Sequence, residues 1–272
     1  MSEIITDISF DLTRTKDYIL SIQVSLDGFY FSVIHKDNNQ LLALGNYPAI
    51  ISSEKFLGRR FFEWASSEQY FNNIFSEARL IYYTGRVTLV PGDYYDYNHQ
   101  DDILNLIFGK TAGFSSHDNY WPDNKCNLIF SIPDSFLNPA VQKFQDLKII
   151  HPLSVLNLKA REYIQNNNNI FVLYLENKGF SHLLYYNNTL VSVNSYNIQT
   201  IDDVIYFVLS ILKQNNINPR ETKFFIAGDT AERKELDARL KQYAHSTQSF
   251  KPITKINTEI FSISLDPYIN LI

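Results

Sequence analysis

The chain has 272 residues, a formal net charge of -5 and a hydrophobic fraction of 45%. This length suits one large domain or two medium ones, and the composition is that of a globular protein that can bury a core. The negative charge argues against a nucleic-acid partner, and no apolar stretch approaches the roughly 20 residues that cross a bilayer.

The first residues and the cysteine content indicate the compartment. Residues 1–15 are polar and lack the basic start and apolar run of a signal peptide. Cys126 is the only cysteine, which excludes an intramolecular disulfide and a four-cysteine zinc site. Its position near a strand start is typical of an inert buried thiol. We therefore predict a cytoplasmic protein without a transmembrane segment.

The first third of the chain predicts an antiparallel meander followed by a helix. Alternating apolar residues indicate the strands, and Asp or Asn residues that tolerate positive φ mark the turns. A helix is expected after Ser52 or Ser53, although Gly58 weakens it by about 1 kcal/mol relative to Ala. The predicted meander has strands at 18–26, 29–33 and 41–44, with turns at Asp27-Gly28 and at 37–39.

The middle of the chain mixes short strands and helices. Residues 114–125 are polar without a regular period and predict an irregular loop. Pro139 is expected at the first position of a helix that ends near Phe144. The other predicted elements are strands at 80–83, 87–90, 128–132 and 148–150, a helix at 101–108 and a helix that starts at Pro152.

Four consecutive asparagines, residues 166–169, interrupt the chain and predict a boundary between two lobes, residues 1–166 and 167–272. Beyond them, the apolar run at 170–175 is typical of a strand covered on both faces. A helix with apolar spacing i, i+3, i+4, i+7 follows an approximate capping box at Thr200. The remaining predictions are a strand at 223–227, a helix capped by Asp229, and a last strand at 261–265.

The stretch from Ile22 to Tyr47 has a second copy from Phe171 to Tyr196. In both copies, a Gly-Phe pair follows the first strand, an Asn-containing turn follows the second, and a tyrosine closes the third. The matching pairs are Gly28-Phe29 and Gly179-Phe180. Both halves thus open as three strands and a helix, which predicts a duplicated βββαβα unit.

A doubled unit of this kind resembles the actin-like ATPase fold, a ribonuclease H-like α/β architecture shared by actin, Hsp70 and sugar kinases. The chain is most similar to small bacterial members near the pilus-assembly and cell-division actin homologues. More closely, it resembles an uncharacterised bacterial family of this fold. The resemblance covers the chain from about Tyr18 onward and implies two lobes around a nucleotide cleft.

The resemblance assigns three parts of a nucleotide site to this chain. The phosphate and magnesium turn of the first hairpin corresponds to Asp27-Gly28. The turn of the second hairpin corresponds to Glu176 through Gly179, with Glu in place of the usual Asp. The adenosine turn corresponds to Gly228-Asp229, with a single glycine.

All three parts depart from the pattern expected for nucleotide binding. A phosphate loop offers several backbone N–H groups to one anion, and the chain has only 9 glycines. Bulky Phe29 and Tyr30 stand where small residues are expected, and Asp229 places a carboxylate at a helix N-terminus. Each position also has a purely structural explanation, as a hairpin turn residue, a strand end or a helix cap.

Tyrosines among acidic residues in the turn at 91–98 suggest an interaction surface, formed by Tyr94, Tyr95 and Tyr97. The alternative is that Tyr94 and Tyr97 pack on the next helix. Residues 114–124 are a second such candidate. A metal corner at His99, Asp101 and Asp102 is possible in principle, but no second histidine cluster supports it.

We therefore predict a non-catalytic binding or scaffold protein of actin-like fold, with a degenerate nucleotide site, no cofactor and a protein partner. One alternative is an ATP-dependent conformational switch that uses Mg²⁺. Another is a kinase acting on a small metabolite. The sequence leaves open whether the chain is an enzyme and how many copies assemble.

Overall fold

A computed structural model describes residues 3–144, 146–164, 169–176, 179–228, 233–244 and 246–272. Within these ranges the chain forms two large sheets and one small sheet, with helices packed on them. None of the described helices has the length and apolar character that a bilayer crossing requires.

The first half of the chain builds the first lobe, which consists of one large sheet and its helices. An inserted module of β6 (Val87–Pro91), α2 (Gln100–Phe108), β7 (Phe114–Trp121) and β8 (Cys126–Pro133) interrupts this lobe and forms the small sheet. The elements are β1 (Glu3–Thr6), β2 (Tyr18–Ser25), β3 (Gly28–His35), β4 (Leu41–Pro48), α1 (Glu54–Ser67), β5 (Glu77–Tyr82), β6 (Val87–Pro91), α2 (Gln100–Phe108), β7 (Phe114–Trp121), β8 (Cys126–Pro133), α3 (Asp134–Lys143), β9 (Lys148–Ile150) and α4 (Pro152–Arg161).

The second half builds the second lobe around the other large sheet. Its strand β10 is buried on both faces, as the apolar run predicts. The elements are β10 (Asn169–Glu176), β11 (Gly179–Tyr186), β12 (Thr189–Asn197), α5 (Ile201–Gln214), β13 (Thr222–Ala227), α6 (Arg233–Leu240) and β14 (Thr247–Gln248).

The two large sheets have the same strand order, which confirms the predicted duplication. The first runs β1-β4-β3-β2-β5-β9 and the second runs β12-β11-β10-β13-β14. In each, a three-stranded antiparallel meander is followed by two parallel strands. Because parallel neighbours need a crossover connection, each lobe alternates strands with helices at this point. The first sheet differs by one added edge strand, β1.

The repeated Gly-Phe and Tyr residues mark one packing arrangement, used once per lobe. Phe29 lies opposite Tyr47 across β3 and β4, with ring centroids 6.1 Å apart. Phe180 lies opposite Tyr196 across β11 and β12, with centroids 5.3 Å apart. Stacked aromatic pairs of this type stabilise adjacent strands. The sequence repeat is therefore explained by sheet packing.

Three predictions about secondary structure are wrong. Residues 114–121 form the strand β7, because pairing with the apolar and fully buried β8 gives this polar stretch a partner. The helix expected from Pro139 begins at Asp134, so Pro139 lies inside α3. Residues 261–265 form no strand, although Phe261 is buried in a cluster with Leu271.

The chain returns to the first sheet near its last described residues. The Ser32 hydroxyl on β3 donates to the Leu271 carbonyl at 2.9 Å, and Asn270 donates to the Gln23 carboxamide at 3.1 Å. The buried Lys159 of α4 donates to an oxygen of Ile272. The predicted division at residue 166 stays a prediction, and the asparagines at 166–168 lie outside the described residues.

Gly58 allows α1 and α3 to approach closely. A Cβ on this residue would lie 2.1 Å from the carbonyl oxygen of Ser135 and 2.8 Å from the Cα of Phe136. The Ser135 carbonyl would normally accept from residue 139, but Pro139 has no N–H to donate. Gly58 on α1 therefore packs against the α3 carbonyl group that Pro139 leaves without its usual helical donor.

We expect Gly58→Ala to destabilise the protein by about 1–3 kcal/mol, because overpacking outweighs the roughly 1 kcal/mol gain in helix propensity. Urea unfolding measures the difference. Gly85→Ala is the control, since a Cβ there meets no atom within 4 Å. A Gly58→Ala protein as stable as the Gly85→Ala protein would contradict the packing argument.

Candidate functional site

The hairpin turns of the two lobes meet at one cavity between them. It has a volume of about 220 Å³, and its lining includes Asp27 from the first hairpin and Glu176 and Gly179 from the second. Leu26 and Asp27 form the two-residue connection between β2 and β3, since Ser25 pairs with Gly28. The structure thus brings together the carboxylates of the two predicted phosphate turns.

Contacts with neighbouring protein atoms require glycine at position 28 and favour it at position 179. A Cβ on Gly28 would lie 2.2 Å from the Tyr47 carbonyl oxygen, and the φ of +135° is itself unfavourable for any other residue. A Cβ on Gly179 would lie 3.0 Å from the Tyr196 carbonyl oxygen and 3.0 Å from the Tyr83 hydroxyl. A phosphate is not needed to explain either glycine.

Tyr83, which directly follows β5, crosses from the first lobe to the second. Its hydroxyl hydrogen-bonds Ser181 on β11, and removal of this hydroxyl from water raises the pKa of the phenol above its usual value. Its ring lies 5.6 Å from the ring of Tyr174 on β10. Tyr83 therefore occupies space between the lobes beside the second hairpin.

Glu176 is held by a tyrosine of its own strand. The Tyr174 hydroxyl donates to Oε1 of Glu176 at 2.9 Å. Burial raises the pKa of Tyr174 well above its usual value, and Asn270 also contacts this hydroxyl. The second predicted phosphate turn is thus connected to the segment that packs on the first sheet.

Phe29 and Tyr30, the bulky residues that follow the first hairpin turn, are not among the described residues that line the cavity. Phe29 is fully buried in the first lobe, with ring centroids 4.9 Å from Trp64 and 5.6 Å from Phe61. Tyr30 points to the opposite face of the sheet, where it packs edge-on against Tyr268 at 5.4 Å. Side chains alternate between faces along a strand, so these adjacent residues leave in opposite directions.

Gly228, the predicted adenosine turn, packs against the end of β10. A Cβ there would lie 2.1 Å from the Leu175 carbonyl oxygen, and its φ is +96°. This close approach requires glycine whether or not a nucleotide binds. Asp229 lies outside the described residues, so its predicted capping role stays a prediction.

A second cavity of about 300 Å³ adjoins the first, with which it shares Glu54, Tyr82 and Gly85. Arg86 lines it and donates to the Phe108 carbonyl at 3.2 Å and the Gly109 carbonyl at 3.0 Å. A cation beside the last carbonyls of α2 stabilises the end of that helix. Arg86 thereby attaches the inserted module to the cleft.

The three tyrosines predicted as an interaction surface separate in the structure. Tyr94 is 81% exposed and Tyr97 is 73% exposed. Tyr95 packs beside Val90 and Leu104, and its partial burial raises the pKa of its phenol. Tyr94 and Tyr97 stay candidates for partner contact, whereas Tyr95 joins the module to its own core.

His99, His117 and Cys126 lie in three different environments. His99 is exposed and its Nδ1 lies 3.1 Å from Oδ2 of Asp96. His117 lies in β7 beside the Phe130 ring, and burial lowers its pKa. Burial raises the pKa of the Cys126 thiol to about 11, which fits an inert thiol. Among the described residues, no group of three or more His, Cys, Asp or Glu side chains is placed to hold a metal ion.

Three residues that line the two adjoining cavities of the cleft were not singled out from the sequence: Tyr83, Glu54 and Arg86. Two of them stand just beyond β5, and ligands in open α/β sheets bind outside the carboxyl ends of the strands. That general rule was the sequence signal that could have predicted a place for Tyr83 and Arg86 in the cleft. Which side chains reach across to the second lobe depends on how the lobes are packed.

Solved structures similar to this chain identify the fold. A Bacteroides thetaiotaomicron protein described as having an actin-like ATPase fold and unknown function is 17% identical, with a TM-score of 0.81 over 96% of this chain and 97% of that chain. A PilM-PilN type IV pilus biogenesis complex matches at 11% identity, with a TM-score of 0.58 over 94% of this chain and 96% of that chain. The predicted actin-like fold is therefore confirmed.

Sequence comparison adds a family but no function. A family model described as a protein of unknown function (DUF3822) matches residues 7–246. No curated protein matches the chain.

Proposed function

The chain belongs to the family of proteins of unknown function DUF3822, and from its cleft we propose that it is a non-catalytic binding or scaffold protein. The observation that carries this proposal is the space between the hairpin turns. A cavity of about 220 Å³ lies below the range of roughly 300–1,000 Å³ that holds small molecules and cofactors. A nucleoside triphosphate would therefore have to extend into the adjoining cavity of about 300 Å³ as well.

The lining of the cavity also supports the proposal. Its described residues include the three carboxylates of Asp27, Glu54 and Glu176 and no Lys or Arg. Arg86 lines the adjoining cavity, where its guanidinium donates to the Phe108 and Gly109 carbonyls. A triphosphate normally requires cations or a set of converging backbone N–H groups. Tyr83 adds an aromatic ring next to the second hairpin, where a phosphate would have to approach Gly179.

We propose that the partner is a protein and that the chain acts in the cytoplasm. The similar PilM-PilN structure is described as a complex, which suggests by analogy that this fold presents surfaces to another polypeptide. Tyr94 and Tyr97 supply exposed aromatic area of the kind that anchors interfaces.

An ATP-dependent switch is the second candidate, favoured by one observation. Asp27 and Glu176 line the same cavity, and carboxylates of two lobes at one point are suited to order the water shell of Mg²⁺. In that case the lobes would open to admit nucleotide and close around it.

Thermal unfolding with and without millimolar Mg-ATP separates the two candidates. We expect no change in Tm, because the cavity between the hairpin turns is small and lined by carboxylates. A ligand at 100 times its Kd would add about 2.7 kcal/mol, a rise of several degrees. A rise that disappears in Asp27→Ala but persists in Asp37→Ala, a carboxylate of the other meander turn, would overturn the scaffold proposal. If the scaffold proposal holds, we expect protein partners to co-purify with the wild type and to be lost in Tyr94→Ala and Tyr97→Ala.

A further inference from the structure

The two lobes differ at one equivalent sheet edge. In the first lobe, the outer edge of β4 is covered by β1, which pairs antiparallel with residues Ala43 to Asn46. In the second lobe, β12 holds the place of β4, and within the described residues it pairs only with β11. In the part of the chain that the structure describes, the second copy of the module therefore lacks the strand that completes the first.

The equivalence of β4 and β12 extends to single residues. Both strands pair with the preceding strand through an irregular register at the same point, between Val33 and Ile34 in one lobe and between Leu184 and Tyr185 in the other. The stacked tyrosines, Tyr47 and Tyr196, fix the alignment at the far end. By this alignment, the stretch that β1 covers corresponds to Ser192 through Ser195.

The edge of β12 carries little protection against strand pairing. One side-chain contact lies within the stretch, in which Asn194 Oδ1 accepts from the Ser195 N–H at 2.8 Å, and an added strand would displace it. The nine residues of β12 contain no charged residue and no proline, and an edge of this kind is a template for another strand. The edge strand β9 is only three residues long. The Asn119 carboxamide donates to the Ile149 carbonyl at 3.0 Å and accepts at 2.9 Å from the N–H of His151, the residue that follows β9. Other edge strands are two to five residues long or, like β7, carry a carboxylate.

Ser192, Asn194 and Ser195 are polar, but each face of β12 also has an apolar side chain close by. Val193 packs against the main core on one face. On the other, Tyr196 stacks on Phe207 of α5 at 4.4 Å, and the neighbouring Tyr206 is 68% exposed. An added strand would thus find apolar contacts on either side.

The covering strand β1 shows what such a partner needs. Its two central residues are Ile4 and Ile5, and they pack into different clusters on opposite faces of the first sheet. We propose that β12 binds an extended segment of a partner protein, which adds antiparallel along Ser192 to Ser195 as β1 adds to β4. Its two central residues are apolar and β-branched. This mode of binding is β-augmentation, in which main-chain hydrogen bonds supply affinity and side-chain contacts supply specificity.

This inference rests on the proposed binding function and names the kind of partner. The test uses the full chain and the capped hexapeptide Ser-Glu-Ile-Ile-Thr-Asp, the sequence of residues 2–7. The chain's own β1 stays on β4, because an attached strand outcompetes a free peptide. We expect the peptide to slow amide hydrogen exchange in β12, and a peptide with proline for the second isoleucine to have no effect.

Asn194→Lys is the diagnostic variant, because Asn194 is exposed and a lysine protects natural edge strands. We expect it to weaken peptide binding at least tenfold. Gln199→Lys adds the same charge beyond the end of β12 and should bind as the wild type does. Both substitutions are at exposed positions, and their thermal unfolding should match that of the wild type.

Three outcomes would overturn the inference. One is unchanged exchange in β12 at millimolar peptide. Another is equal binding by the Asn194→Lys and Gln199→Lys proteins. The third is a stable dimer in light scattering whose β12 amides are already protected without peptide, which would assign the edge to a second copy. None of these alters the expected response to Mg-ATP, so the inference can fail while the proposed function stands.

Discussion

The Phe29→Ala protein is expected to lose about 3–5 kcal/mol of unfolding free energy, the cost of truncating a fully buried phenylalanine. Phe29 has no exposed surface and contacts the rings of Trp64, Phe61 and Tyr47. Removing it leaves a cavity between the first sheet and α1. Urea unfolding with an unchanged m-value would measure the loss as a shift of the midpoint.

Phe56→Ala is the matched control, because Phe56 lies on α1 but is about half exposed. We expect it to change stability by less than about 1 kcal/mol. The pair also tests the location of Phe29. If this ring blocked the cleft, Phe29→Ala would cost little and would allow Mg-ATP to raise Tm. That combination would contradict the assignment of Phe29 to the core.

Two buried histidines are expected to make the protein sensitive to mild acid. His151 is fully buried, its Nε2 lies 3.0 Å from the Thr84 carbonyl oxygen, and its Nδ1 accepts from the Leu153 N–H at the start of α4. Only the neutral ring satisfies both contacts, and burial lowers the pKa of His151 to about 4. Burial also lowers the pKa of His182, which stacks on Phe171, to about 3.

The folded pKa of each histidine lies below the unfolded value of about 6.5. Above that pH both states are neutral, so the two groups add no pH dependence. As pH falls below about 6.5, the unfolded state binds protons that the folded state rejects, and stability declines by about 1.4 kcal/mol per pH unit for each group. We therefore expect a loss of about 4 kcal/mol between pH 7.5 and pH 5, measured by urea unfolding across this range.

Variants separate the two contributions by slope rather than by absolute stability. His151→Gln or His182→Gln should each halve the pH dependence between pH 6.5 and pH 5, whatever its own cost at neutral pH. His99→Gln removes an exposed histidine and should keep the slope of the wild type. Parallel curves for all four proteins would show that other groups control the acid response.

Local patterns were sufficient to predict the duplicated unit. The Gly-Phe pairs, the Asn turns and the closing tyrosines recur because each marks a short-range requirement. Gly28 needs a φ of +135° beside the Tyr47 carbonyl. In the turn between the second and third strands, Asn39 of the first lobe and Asn187 and Asn188 of the second occupy positive φ. Such requirements act within a few residues or across one strand pair, so they are visible without the tertiary structure.

The inserted module was harder to predict because its order comes from partners distant in sequence. The polar stretch of β7 contains Asp118 and Asn119, which favour turns when considered locally. In the structure Asp118 accepts from Gln100 and Asn127, and Asn119 bonds the backbone of β9. These hydrogen bonds satisfy the polar side chains, and β8 supplies the apolar surface that the strand itself lacks.

The amino-acid sequence by itself determined the duplicated unit, since apolar periodicity and turn chemistry repeat in both halves of the chain. The resemblance of that doubled unit to known proteins supplied the actin-like fold. Only the tertiary structure decided which contacts are made by the residues that the resemblance assigned to a nucleotide site. Side-chain direction and the packing between lobes decide three such properties. They are the burial of Phe29 in the core, the reach of Tyr83 across the cleft and the presence or absence of a strand beside β12. These properties arise from contacts between residues far apart in the chain, and no local pattern specifies them.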